Sequence, residues 1–109
     1  MTHSFPDEPP RHLPSAVPGR VRDTLEHWLW VRVTKSGRET WRVLGYRASD
    51  GVVYITSPVI AADPASHRVS THSGSIYLLR WQSDSPDLRL SAHLAVALEA
   101  WGVSPRVAS

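Results

Sequence analysis

The stretch WLWVRVTKSGRETWRVLGYR, residues 28–47, decides the fold, because its side chains alternate in character from one residue to the next. An alternation of period two is typical of a β-strand, whose successive side chains point to opposite faces. Glycine in KSGR supplies a turn, and TWRVLGYR (40–47) is predicted as the next strand. The first strand divides into two sets: Leu29, Val31 and Val33 on one face, and Trp28, Trp30 and Arg32 on the other.

Four more short strands are predicted downstream of this pair, at 52–56, 59–63, 67–72 and 76–81. Turn chemistry separates them. Asp50-Gly51 is a strong hairpin signal, Asp63-Pro64 suits a type I turn, and Gly74 between two serines supplies positive φ. The last strand is apolar on both faces, which predicts a central position in the sheet.

Two helices are predicted, one at each end of the strand region. In VRDTLEHWL the apolar residues recur at helical spacing, which predicts a short helix over 21–27. A second helix is predicted over 86–101, with Ser85 as N-cap, proline at the first helical position and Gly102 as a left-handed C-cap. Its apolar stripe consists of Leu90, Leu94, Leu98 and Trp101.

These elements predict an α+β fold with a twisted, antiparallel sheet of about five strands arranged as a meander. The C-terminal helix packs on one face, and the short N-terminal helix precedes the sheet. A small, partly closed barrel is the alternative, given the short and evenly spaced strands. We predict a disordered, proline-rich tail over 1–19, one domain over 20–104 and a frayed C-terminus over 105–109.

Composition narrows the class of protein. The chain has 109 residues, no cysteine and a net charge of +2, so disulfides and thiolate metal sites are excluded. No apolar run has the length of a membrane span and no secretory signal is present, so we expect no membrane partner and a cytoplasmic location. Eleven arginines against one lysine are typical of a GC-rich bacterial genome.

No arrangement of residues indicates catalysis or a cofactor. The Ser73-Gly74-Ser75 turn lies between two strands, whereas a nucleophilic serine of the GxSxG type lies between a strand and a helix. The six histidines are scattered without metal-ligand spacing, and the carboxylates are explained by turns and a helix start. We therefore expect a protein that is not an enzyme, with no catalytic residue, no metal and no cofactor.

The aromatic and arginine residues remain as candidates for a binding surface. Five tryptophans and three tyrosines are many for this length, and these residue types with arginine are enriched at binding hot spots. If the strand faces align, one partner-binding surface is formed by Trp28, Trp30, Arg32, Arg42, Tyr46 and Arg80. The alternative is that Trp28 and Trp30 form a second core layer under the N-terminal helix, with the arginines at its rim.

The function predicted from these observations is a small protein-binding module, such as an adaptor, an inhibitor or an accessory subunit. Its small size and proline-rich tail would suit a protein encoded by a bacterial mobile element or a phage-like region. The expected partner is another protein, or a second copy of the chain as a homodimer. The alternative is a single-stranded nucleic-acid binder that stacks bases on aromatic residues. A net charge of +2 is low for such a protein and makes this the less favoured hypothesis.

Overall fold

A computed structural model describes residues 2–103 and contains one mixed sheet with a single helix against it. Within this range the strands follow the order β4-β3-β2-β7-β6-β5, and β1 lies beside the second half of β2. The elements are β1 (Thr2–Ser4), β2 (Asp23–Lys35), β3 (Arg38–Arg47), β4 (Val53–Ile55), β5 (Val59–Asp63), β6 (Arg68–Thr71), β7 (Ile76–Gln82) and α1 (Leu88–Ala100).

The hairpin between β2 and β3 confirms the two strands and the glycine turn predicted from residues 28–47. Lys35 pairs with Arg38, so that only Ser36 and Gly37 form the turn. Both have positive φ, 53° and 75°, as a type I′ turn requires. The twist of such a turn matches the twist of the two strands, and this fixes the register of the central pair.

The predicted helix over 21–27 is wrong, because those residues lead into and begin β2. The apolar spacing resembled that of a helix because a β-bulge lies between Glu26 and Leu29, where His27 has a φ of 50°. The extra residue makes Leu25 and Trp28, three positions apart, pack in the same core cluster. A spacing of three is what a helix would also produce, so the bulge imitates a helical pattern.

The sheet differs from the predicted antiparallel meander of about five strands. Seven strands are present in the described range, and β2 pairs with β7 in parallel, from Asp23 opposite Tyr77 to Trp28 opposite Gln82. The sheet is also not closed into a barrel. It is nevertheless strongly curled, since Val59 of β5 packs in one cluster with Val43 of β3, although three strands lie between them in the sheet order.

From residue 2 onward, the proline-rich segment at the N-terminus packs against the sheet in the described part of the chain. His3 in β1 pairs with Val33, and Val17 is buried. The carbonyl of Pro14 accepts a hydrogen bond of 2.9 Å from the backbone N–H of Ala62. Proline lacks a donor but keeps its acceptor, so it can satisfy an edge strand. The predicted frayed C-terminus, 105–109, lies outside the described residues.

Two apolar clusters occupy the two faces of the sheet. The inner cluster lies on the concave side of the curl, and the helix cluster lies between the sheet and α1. The inner cluster contains Leu25, Trp28, Trp30, Trp41, Val43, Val59, Ala62, Val69, Tyr77 and Leu79; the helix cluster contains Leu29, Val31, Val33, Leu44, Leu90, Leu94, Leu98 and Val103. Alternate residues of β2 therefore serve different cores.

The C-terminal helix confirms the predicted leucine stripe, since Leu90, Leu94 and Leu98 are its buried residues. The predicted cap at Gly102 is also confirmed: Gly102 has a φ of 69°, its N–H donates to Glu99, and the N–H of Val103 donates to Leu98. This is the hydrogen-bond pattern of a Schellman motif.

The beginning of the helix was predicted two residues too early. The N-cap is Asp87 rather than Ser85, because the Asp87 carboxylate accepts a hydrogen bond of 2.8 Å from the N–H of Leu90. The same carboxylate accepts the hydroxyl of Tyr46 at 2.6 Å, which ties the start of the helix to β3. No helix among the described residues is long and apolar enough to cross a membrane.

Replacing Asp87 by alanine should lower the free energy of unfolding at neutral pH by about 1 kcal/mol, the usual value of an N-cap. The hydrogen bonds from Leu90 and Tyr46 hold the pKa of Asp87 below its ordinary value of 3.8. The carboxylate thus stabilises the fold above that value, and its contribution is lost as the pH falls through the lowered pKa.

Urea unfolding of the wild type and of Asp87→Ala, at pH values above and below this range, measures the effect. The difference between the two proteins should narrow in acid, whereas a difference that widens would contradict the assignment. Asp84→Ala is the control, because Asp84 is an exposed acid whose carboxylate accepts no hydrogen bond among residues 2–103.

Candidate functional site

The six residues predicted to form one binding face do not lie together. Trp28 and Trp30 are buried in the inner cluster, with 8% and 2% of their surface exposed. Their rings pack edge to face at 5.5 Å, and Trp30 packs in the same way on Trp41 at 5.9 Å. These tryptophans are core residues, as the alternative interpretation had it, although β5 and Leu13 cover them instead of a helix.

Arg32 lies on the same face as Trp30, but at its rim. It pairs with Trp41 across the hairpin, and its guanidinium carbon lies 6.0 Å from the centre of that indole ring. Its Nε donates to the hydroxyl of Ser4 at 3.1 Å, so the arginine also holds β1 against β2. These contacts give Arg32 a structural role.

Arg42 and Tyr46 lie on the opposite face, beside α1. The register pairs Arg42 with Val31, whose side chain packs in the helix cluster. Tyr46 packs against this cluster too, and its hydrogen bond to Asp87 raises the pKa of its hydroxyl. The two sets of residues predicted for the first strand agree with the two clusters, but the register places Arg42 on the face opposite Trp30, so the strand faces do not align in the way that a single surface requires.

Arg80 lies at the end of β7, where the chain leaves the sheet. It forms an ion pair of 3.5 Å with Glu26, and its guanidinium carbon is 4.3 Å from the ring centre of Trp81. Trp81 has 58% of its surface exposed. The ring of His27 lies 5.6 Å from the indole on a tilted plane. We call His27, Arg80 and Trp81 the aromatic patch.

The backbone around the aromatic patch is strained. Among the described residues, four that are not glycine have positive φ, and Ser36 is accounted for by the type I′ turn. The other three are His27, His67 and Trp81, with φ of 50°, 56° and 52°. Such conformations cost about 1 kcal/mol or more each and tend to occur at functional sites.

A cleft adjoins the aromatic patch and leads into the inner cluster. One cavity of about 320 Å³ is bounded by His67, Leu79, Arg80, Trp81 and Gln82, with Trp28 at its base. A second cavity of about 170 Å³ shares four of these residues and extends to Trp30. The N–H of Leu79 donates to the carbonyl of His67 at 2.7 Å, which fixes the β5–β6 turn at this rim.

Trp81 and His27 were missed as site residues because both belong to strands whose period-two pattern ends or breaks at that point. In a strand of period two, Trp81 would share a face with Tyr77 and Leu79, which are buried. Its left-handed backbone turns it out of the sheet instead. The only signal in the sequence is its position before the polar segment QSDSPD, where a strand is expected to end.

The titratable groups within residues 2–103 do not form a group of three histidines, aspartates or glutamates that could hold a metal ion. The chain matches no protein-family model, no curated protein and no solved structure.

The two classes of tryptophan should respond differently to substitution. Trp30→Ala removes a buried ring from the inner cluster, and we expect a loss of about 3–5 kcal/mol in the free energy of unfolding. Trp81→Ala removes an exposed ring, and the loss should stay below about 1 kcal/mol. Urea unfolding followed by far-UV circular dichroism measures both. Equal losses would show that the two rings are not in the environments described.

Proposed function

We propose that this protein is a small, non-enzymatic protein-binding module, an adaptor, inhibitor or accessory subunit, and that it contacts its partner through the aromatic patch. The observation that supports this most is Trp81, a tryptophan with 58% of its surface exposed beside an arginine. Tryptophan and arginine dominate binding hot spots because both bury a large area and still donate hydrogen bonds.

The side chains of the aromatic patch are held in place before a partner arrives. Trp81 contacts His27 on the bulge of β2, while Arg80 is fixed by Glu26. An arginine and a tryptophan that are already ordered lose less rotamer entropy on binding than free ones. These interactions favour Trp81 as the anchor of an interface.

The strained backbone supports the same role. Glycine would adopt positive φ at positions 27, 67 and 81 without strain, but histidine and tryptophan stand there. The fold carries this conformational cost at three neighbouring positions. Retaining large aromatic side chains at these positions is consistent with a function for the rings themselves.

A typical hot spot combines an anchoring side chain with an apolar pocket for a side chain of the partner, and the cleft beside Trp81 provides that pocket. Its base is apolar, from Trp28 and Leu79, and its rim is polar, from His67 and Gln82. An apolar side chain of the partner that enters this cleft would be surrounded by groups that exclude water, as hot spots require. The ion pair of Arg80 with Glu26 offsets the positive charge, so the aromatic patch suits a protein surface better than a phosphate backbone.

The proposal is tested by capture from a cell lysate with the tagged wild type and with Trp81→Ala, followed by identification of the captured protein and measurement of its Kd with purified components. Trp81→Ala should weaken binding by about 30-fold or more, which corresponds to a hot-spot residue. The matched control is Leu88→Ala, since Leu88 is an apolar residue on α1 with 90% of its surface exposed.

Nuclease treatment and a second salt concentration distinguish the classes of partner. Capture that withstands both and is lost only in Trp81→Ala supports the proposal. Capture that disappears with nuclease points to nucleic acid, and equal binding by wild type and Trp81→Ala shows that the interface lies elsewhere. Sedimentation of the free protein tests whether the captured partner is a second copy of the chain.

A further inference from the structure

A second concave surface lies at the other end of β2. His27 is separated from Lys35 by eight residues of strand, or roughly 26 Å at about 3.3 Å per residue. A groove of about 640 Å³ opens here between the β2–β3 hairpin, the β6–β7 turn and the end of α1. We call it the basic groove, because it is bounded by Lys35, Arg38, Arg42 and His72, together with the ring of Trp101.

The cations of the basic groove are not neutralised. No aspartate or glutamate is among the residues that line it. In the part of the chain that the structure describes, ion pairs are formed by Arg11 with Glu8, Arg47 with Asp50 and Arg80 with Glu26, and none of them includes a groove residue. With a net charge of only +2 for the whole chain, this local excess of positive charge is pronounced.

Arg42 is the most constrained of these cations. Its guanidinium carbon lies 3.9 Å from the ring centre of Trp101, and its Nη1 donates to the carbonyl of Thr56 at 3.1 Å. Its Nε is buried without a hydrogen-bond partner in the described structure. Burial also lowers the pKa of Arg42, because no acid compensates for the lost hydration. A buried donor that remains unsatisfied is costly, so the position of Arg42 is one that the fold maintains against a penalty.

Lys35 fixes the same wall of the basic groove. Its Nζ donates to the carbonyl of Trp101, next to the glycine cap of the helix. Carbonyls at a helix C-terminus carry partial negative charge, which only partly balances an ammonium group. The side chain of Arg38 forms no hydrogen bond or ion pair within residues 2–103 and is exposed, so its guanidinium is available to a ligand.

We propose that the basic groove binds an acidic segment of a partner protein, with carboxylates of the segment paired to Arg38 and Arg42. The planar fork of a guanidinium matches a carboxylate in two parallel hydrogen bonds. Val33 and Val103 supply an apolar wall beside Trp101, which suits an aliphatic side chain between the acids of the segment. This site is separate from the aromatic patch, and the inference stands whether or not Trp81 binds a partner.

The geometry favours a peptide over single-stranded nucleic acid. One face of the Trp101 ring is covered by the guanidinium of Arg42, so a base cannot stack there. The cations are also grouped within one groove, whereas a binder of nucleic acid places them along the path of the phosphate backbone.

The probe for this test is a fluorescein-labelled peptide of glutamates around a central leucine, titrated with the full chain and followed by anisotropy. Two further probes are the same peptide with glutamine in place of glutamate, and an oligothymidylate of equal charge. We expect the glutamate peptide to bind, the glutamine peptide not to bind, and the oligonucleotide to bind more weakly than the glutamate peptide.

The decisive variant is Arg38→Ala, and its matched control is Arg20→Ala, because Arg20 is an exposed arginine away from the basic groove. Both remove one positive charge. Arg38→Ala should weaken binding of the glutamate peptide by about tenfold, as for a lost charge-assisted hydrogen bond. Arg20→Ala should change the Kd of the same peptide by less than about twofold. Circular dichroism checks that both variants are folded.

Several results would overturn the inference. Equal weakening in Arg38→Ala and Arg20→Ala would show that only net charge matters, and tighter binding of the oligonucleotide would assign the groove to nucleic acid. Absence of binding by the glutamate peptide would exclude an acidic ligand. Trp81→Ala should leave the peptide affinity unchanged, so that failure here and failure of the aromatic patch are told apart.

Discussion

The rest of the structure depends on the burial of β2 on both of its faces. Trp28 and Trp30 pack into the inner cluster, while Leu29, Val31 and Val33 pack under α1. A central strand that serves two cores leaves no sheet face free for a partner. The two candidate binding surfaces lie where β2 deviates or ends, with the aromatic patch at its bulge and the basic groove at its hairpin.

The bulge in β2 connects folding to the candidate site. Gly45 lies opposite it, and a Cβ at Gly45 would come within 3.0 Å of the Cβ of Trp28 and 3.1 Å of the carbonyl oxygen of Glu26. The absence of a side chain there lets the bulged strand approach β3 and directs Trp28 inward. The ring of His27, the extra residue of the bulge, then lies 5.6 Å from that of Trp81. One local irregularity thus completes the core and displays the aromatic patch.

Local features could be predicted from the sequence, since each depends on neighbouring residues: the glycine turn after β2, the alternation within β2 and β3, and the leucine stripe of α1. The long-range ones could not. A bulge gives Leu25 and Trp28 a helical spacing, and the pairing of Trp30 with Val43 sets Arg42 on the face opposite Trp30. The basic groove joins His72 to residues of a distant hairpin, an arrangement that exists only in the folded chain.

Trp28, Trp30 and Trp41 belong to the core, whereas Trp81 is exposed. The most direct measurement is ¹⁹F NMR of the protein labelled with 5-fluorotryptophan, with a soluble paramagnetic quencher and resonances assigned by Trp→Phe variants. We expect strong broadening of the Trp81 resonance and protection of those of Trp28, Trp30 and Trp41. Broadening of Trp30 with protection of Trp81 would contradict this expectation, because the sheet would then present the opposite set of aromatic residues to solvent.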